Sequence, residues 1–301
     1  MKLLTLLLCT ALLVPAALNA QTDKVAHRFL KSGCNSESVA IVARDGTIEW
    51  EYPIKSETND AWLLPNGNII FAFKAGVREV KPDKTTVWEY LAQAGSEIHG
   101  CQPLGADLVL VGEACNDGTT NIYEMDRACK ILKKLTLSLG GGSHTQIRQI
   151  RKTPQATYLV TQQRKGGVAM EFDATGKLLR QFPDGRYAAE RLPDGNTLIA
   201  CGDGHRVIEV NAQNNIVWEV KQDDIPGNKI GFAAAVVRLA NGNTVICNWP
   251  GHGGMPKDQP QVFEITRAKK LVWEVRDPRL NMISAIQILD APTLTPALPA
   301  R

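Results

Sequence analysis

Several classes of function are missing from this sequence before any motif is sought. Its 34 basic and 31 acidic residues are interspersed, with no block of like charge and a formal net charge of +3, so a nucleic-acid partner has no compositional support. After the first twenty residues no apolar run is long enough to cross a membrane. No two cysteines stand in a CxxC pair, which argues against a zinc ribbon or a thioredoxin-type site. GxSxG, HExxH and P-loop strings are absent too, which removes the commonest hydrolase and nucleotide-binding signatures.

What is present begins with MKLLTLLLCTALLVPAALNA, one basic residue before an apolar run from Leu3 to Val14, ending at Leu18-Asn19-Ala20. This layout predicts a secretory signal peptide over residues 1–20, and hence a periplasmic or secreted protein. Six cysteines would remain after cleavage: Cys34, Cys101, Cys115, Cys129, Cys201 and Cys247. An oxidising compartment would permit pairing, with Cys247 able to meet Cys201 or Cys34, or all could remain free thiols.

The dominant signal is a repeat. AWLLPNGNIIFAFKAGVREVKPDKTTVWEY at 61–90 is echoed at 189–220 and again at 236–275, and weaker copies fill residues 99–135 and 147–182. Each copy reads as strand, Asn/Asp-Gly-Asn turn, strand, loop, a V-x-E-V strand, polar turn, and a strand ending in V-W-E. The signature positions are Trp50, Trp88, Lys133, Arg180, Trp218 and Trp273, marking six units. One unit is split: ISAIQILD at 283–290 supplies a first strand, while residues 25–52 supply a second, third and fourth. Joining the termini closes a ring and removes open sheet edges. The expectation is an all-β, six-bladed β-propeller over residues 22–291, four antiparallel strands per blade, followed by a disordered tail at 292–301. A β-sandwich or β-solenoid is the alternative, but neither needs a split terminal repeat.

In such a ring, the loops leading into inner strands and those joining second to third strands open on one face, where ligands usually bind. That face collects Asn59-Asp60, His99, His144 with Gln146, Arg186-Tyr187, Lys229 with Phe232, and Asn281 with Ser284. The second-to-third-strand loops add Asn116-Asp117, Arg164-Lys165, His205 and His252. Four of the five histidines therefore share one face. LGGGSH at 139–144 could turn consecutive glycine amides toward an anion, though a flexible link between blades explains the glycines equally well. A lactonase-type calcium site would draw on Asp60, Glu97, Asn59 and Asp117, although imidazoles suit a hard ion poorly. No metal ligand set is assigned, and no cofactor beyond a candidate calcium ion.

The unit LPNGN, V-x-E-V, polar turn, V-W-E resembles the repeat of bacterial quinoprotein-like propellers, especially the arylsulfotransferase-like six-bladed group. FDATGKLLRQF at 172–182 resembles the pyrroloquinoline-quinone-type repeat. The resemblance covers nearly the whole chain after the leader, but lies in blade-building residues. It implies an exported propeller and, for the sulfotransferase group, sulfate transfer between phenols through a histidine. His99, His144 and His252 would then be catalytic, with Arg186 as an anion clamp.

Two readings follow. The first is binding of a small anionic molecule, a glycan or a partner protein on the His-rich face through Asp60, Gln146, Arg186, Tyr187, His205 and Lys229, by a monomer. The second is an enzyme on that face, with sulfuryl transfer ahead of lyase or lactonase chemistry; it requires His99, His144 and His252 to meet around one pocket. A protein-interaction platform would instead show an exposed aromatic patch, for which Tyr187, Phe232 and Trp249 are the rim candidates.

Overall fold

The computed structural model describes residues 26–164, 166–252, 258–280 and 282–294. The expected leader at 1–20, Lys165 and Asn281 fall outside them. Among the described residues, twenty-four strands form six four-stranded antiparallel sheets. This is the six-bladed propeller that the repeat predicts. Inner strands are Thr58–Leu63, Glu97–Leu104, Gln149–Lys152, Ala188–Arg191, Ala233–Arg238 and Ala285–Ile288. We number blades one to six by the order of their signature positions, so blade one is the split one. There Ala285–Ile288 pairs antiparallel with Phe29–Ser32, with Phe29 opposite Ile288 and Ser32 opposite Ala285.

The repeat's conspicuous letters turn out to be cement between blades. Trp50 Nε1 donates to Pro82 O of blade two at 2.8 Å, and Trp218 Nε1 donates to Arg267 O of blade six at 2.8 Å. Four of the V-x-E-V-type glutamates, Glu79, Glu171, Glu209 and Glu264, accept a hydrogen bond from their own blade's turn, and these and Glu124 each meet a cation or imidazole of the next blade. Glu209 accepts from Asn196 at 2.8 Å, from Arg238 at 2.8 Å and from Arg267 at 2.6 Å. Glu124 holds Lys152 at 2.7 Å, Glu171 holds Arg191, and Glu264 holds His27 at 2.9 Å. The acceptor recurs in five of the six blades, Ile41 taking the position opposite Trp50 in the split blade, and a buried charge persists only when paired.

Inner strands of a propeller leave backbone N–H groups facing the channel, and here side chains of the neighbouring blade cap several of them. Gln287 Oε1 accepts from Leu63 N at 2.7 Å, Gln102 Oε1 from Lys152 N at 2.7 Å, and Gln149 Oε1 from Ala189 N at 2.9 Å. Asp60 Oδ2 does the same for Cys101 N at 3.2 Å.

Two expectations change. All six cysteines among the described residues are free thiols, so neither the Cys247–Cys201 nor the Cys247–Cys34 bridge forms. The ordered chain also passes residue 291: Ala240 N donates to Pro292 O at 2.8 Å, Thr293 bridges Leu239, and Leu294 N donates to Arg238 O at 2.8 Å. Residues 295–301 lie outside the described chain.

Candidate functional site

The residue just before each inner strand, or at its start, is aimed at the channel mouth. Glu57 precedes Thr58, His99 enters with Glu97–Leu104, and Arg148, Tyr187, Phe232 and Ser284 each precede their strand directly. Because the blades repeat, these positions converge. His99 and His144 pack edge to face with ring centroids 5.6 Å apart. Between them stands Glu97: its Oε2 is 2.9 Å from His144 Nδ1 and 3.3 Å from His99 Nε2, and its Oε1 is 3.1 Å from Lys74 Nζ. Behind His99, Arg148 Nη1 donates to Nδ1 at 2.9 Å, and Asn59 Nδ2 lies 3.3 Å from the same nitrogen. Glu57 completes the floor, accepting from Cys34 Sγ at 2.7 Å and lying 3.5 Å from Arg148.

This geometry fixes protonation. An arginine can only donate, so His99 Nδ1 must accept and the neutral ring carries its proton on Nε2. That nitrogen is fully buried and has no aligned hydrogen-bond partner. Burial pushes the His99 pKa down to about 4; the Glu97 carboxylate opposes this and the Arg148 charge adds to it. Burial is also the largest single influence on Glu97, against its charge. Interactions with His99, His144 and Lys74 together outweigh it and hold the carboxyl well below the usual range. The Cys34 thiol is pushed up to about 12 by burial and then by Glu57, so it stays protonated.

A second cluster lies across the mouth. Tyr187, Phe232, Trp249 and His252 pack edge to face in succession, with centroids 4.9 Å, 5.3 Å and 5.0 Å apart. His252 Nδ1 is 2.9 Å from Asp203 Oδ1. Arg148 lies over the Tyr187 ring at 5.6 Å and links the two clusters. An open concavity beside His252 is lined by Thr145, Gln163, Arg164, Arg186 and Asp203. Among the described residues, neither Arg164 nor Arg186 is ion-paired.

Other candidate residues have different employment. Asp60 is buried and bound by both terminal nitrogens of the Arg151 guanidinium, at 2.6 Å and 3.0 Å, deeper in the channel. The Gln146 amide is committed to the fold: Thr120 donates to it at 2.8 Å, and it donates to Cys115 O and Gly141 O. His205 Nδ1 donates to Gly231 O at 2.6 Å, and exposed Lys229 pairs with Asp223 at 3.3 Å. Asp117 accepts from Thr119 on the surface, so the proposed calcium ligands Asp60, Glu97, Asn59 and Asp117 are not one cluster. In the LGGGSH loop the Gly140 amide donates to Gly118 O at 2.8 Å, which removes it from an anion nest. Tyr187, Phe232 and Trp249 are each about 5% exposed or less, so they form no rim patch. They are buried because they fill the mouth of the ring against one another.

Glu57, Lys74 and Arg148 escaped the sequence reading. Arg148 had a signal, since it holds the same register position before an inner strand as Tyr187 and Phe232.

No protein-family model matches the chain, and no curated protein matches it either. Among solved structures, a protein of unknown function from Bacteroides caccae is 30% identical, with 87% of this chain and 98% of that one covered and a TM-score of 0.79. This chain belongs to the family of that Bacteroides protein. A catalytically inactive variant of virginiamycin B lyase from Staphylococcus aureus, solved with quinupristin, is 12% identical over 86% of this chain and 87% of that one, with a TM-score of 0.57. The extracellular domain of a putative hybrid two-component system from B. thetaiotaomicron is 13% identical over 83% of this chain and 34% of that one, with a TM-score of 0.52. At those identities the two likenesses speak for the propeller fold alone. The family is that of the Bacteroides protein; no family model supports a quinoprotein or arylsulfotransferase label.

Proposed function

We propose that the protein binds a small anionic ligand, a sulfated or carboxylated molecule, in the concavity beside His252. The observation that carries this reading is the pair of guanidiniums, Arg164 and Arg186, which line one concavity with no carboxylate partner among the described residues. Arginine forks match the planar oxygens of carboxylate and sulfate, and charge-assisted bonds are the stronger class. Asp203 also lines the concavity, but its carboxylate is engaged by His252 at 2.9 Å. A ligand there would sit beside the aromatic cluster, which gives a sugar or phenol ring an apolar neighbour. Together with the leader, this describes an exported binding propeller.

Isothermal titration with 4-nitrophenyl sulfate, glucuronate and inorganic sulfate tests the reading. At least one should bind, and Arg164→Ala and Arg186→Ala should each weaken it by roughly tenfold, the loss of one charge-assisted contact. Absence of binding by all three, or affinity indifferent to both substitutions, overturns it.

Sulfuryl transfer through a histidine is the second reading. The observation favouring it is the bond from His144 Nδ1 to Glu97, which fixes that ring and leaves Nε2 toward solvent. Against it, His252 belongs to the other cluster, so His99, His144 and His252 do not share one centre. Release of 4-nitrophenol from 4-nitrophenyl sulfate with a phenol acceptor, abolished by His144→Gln, would favour this reading over binding alone.

A further inference from the structure

We propose that Glu97, His99 and His144 form a binding site for one divalent transition-metal ion of the zinc or cobalt kind. This site is separate from the anion concavity and does not depend on it.

Three ligand atoms, Glu97 Oε2, His99 Nε2 and a nitrogen of His144, lie within 4.8 Å of one another. Ligands about 2.1 Å from an ion are about 3.0 Å apart when adjacent in an octahedron and about 3.4 Å apart in a tetrahedron. Glu97 Oε2 is 2.9 Å from His144 Nδ1 and 3.3 Å from His99 Nε2, which are these spacings. Little movement would admit an ion.

Two orphaned atoms supply an independent observation. His99 Nε2 is fully buried with Glu97 Oε2 at 3.3 Å but no aligned hydrogen bond, and Asn59 Oδ1 is buried with no partner at all. Such atoms are costly, and one rearrangement would satisfy both. An ion on Nε2 requires the ring proton to move to Nδ1, where it needs an acceptor. The Asn59 amide already stands 3.3 Å from Nδ1, and a half-turn brings its Oδ1 there. Arg148, which now donates to Nδ1, has Glu57 Oε2 at 3.5 Å to turn to. Ligating histidines ordinarily donate their second N–H to such a partner. His144 would ligate through Nδ1, its proton resting on the solvent-facing Nε2; its side chain is 43% exposed, so the ion has a way in.

The donor set decides the class of ion. Two imidazoles with one carboxylate suit zinc, cobalt or nickel, whereas magnesium and calcium demand mostly oxygen. The chain closes only three positions, leaving others for water or ligand. Glu57, 3.9 Å from His144 Nδ1, adds a carboxylate that helps balance Lys74 and Arg148.

The test uses the full chain, produced without a histidine tag, stripped with EDTA and titrated with Zn2+, Co2+ and Ca2+ separately by calorimetry. One Zn2+ or Co2+ should bind per chain, and Co2+ should develop the visible absorption of nitrogen and oxygen ligation. His144→Gln and Glu97→Gln, both partly exposed, should weaken Zn2+ at least tenfold while circular dichroism stays unchanged. Asn59→Leu should weaken it by about 10- to 100-fold through the lost positioning contact. His205→Gln should bind as the parent does. Absence of stoichiometric Zn2+, tighter binding of Ca2+, or affinity unchanged in His144→Gln and Glu97→Gln would each overturn the site. Arg164→Ala, which tests the anion concavity, should leave Zn2+ binding intact.

Discussion

His27 Nε2 lies 2.9 Å from Glu264 Oε2, tying the start of the split blade to the third strand of blade six. Its other nitrogen is 3.2 Å from Asp290 Oδ1, just past the inner strand of that same split blade. The one histidine remote from the channel mouth thus fastens the seam where the ring closes. Burial, the largest influence, works against its charge, but hydrogen bonds to Glu264 and Asp290 prevail and raise its pKa above 6.5. A raised folded pKa adds stability that is fully present below the unfolded value and disappears as pH climbs through the folded one. Urea midpoints should therefore fall as pH rises above about 6.5, the ordinary imidazole value, and His27→Gln should flatten this slope. An unchanged slope in the variant would show that the seam does not titrate.

The blade-to-blade ion pairs differ sharply in worth according to burial. Arg238 and Glu209 have side chains 1% and 3% exposed, while Arg267, the second cation on Glu209, is 49% exposed. Glu209→Ala would strand a buried guanidinium and should cost roughly 3–5 kcal/mol in urea unfolding, whereas Arg267→Ala should cost less than about 1 kcal/mol. Equal losses for the two would mean that the cation's burial is not what sets the energy.

Thiol chemistry follows from the free cysteines. Cys34, Cys101, Cys201 and Cys247 are buried, and burial raises the Cys201 thiol to about 12 as it does Cys34. Thiolate is the reactive form, so of the six described cysteines only Cys115 and Cys129 should be labelled when native protein is treated with iodoacetamide near neutral pH, by mass spectrometry. Labelling of the other four should appear only in denaturant. Rapid native labelling of Cys34 would contradict its enclosure under Glu57.

Most of the fold was legible because repetition exposes it: Asn-Gly turns, alternating strands and the split repeat at the termini each carry the same message, and the pairing of Phe29 with Ile288 delivers it. The site was legible only by address. His99 and His144 were both expected on one face, but nothing in the spacing says that Glu97 stands between them or that Arg148 fixes the ring proton. Those relations depend on side-chain directions from different blades, which a one-dimensional pattern does not encode. Asp60 and Gln146 show the opposite case. Both are polar residues entering a channel, yet their neighbours consume them as Arg151's partner and as the latch of the 139–144 loop.

Arg180 tests whether a lost signature residue means a lost contact. It occupies the tryptophan position of blade four, and its Nη1 donates to Asn211 O at 3.2 Å and Ala212 O at 3.1 Å in blade five. Those carbonyls lie in the hairpin that corresponds to Pro82 and Arg267, which receive the indole N–H of Trp50 and Trp218. A guanidinium with several donors has replaced an indole with one, and its charge is met by Glu171 at 3.7 Å. Arg180→Trp should therefore supply the contact that Trp50 and Trp218 make and keep stability within about 1 kcal/mol, while Arg180→Ala should lose about 1–2 kcal/mol, by thermal unfolding. If Arg180→Ala is neutral and Arg180→Trp is not, the position in blade four has ceased to join the blades, and its arginine serves only Glu171.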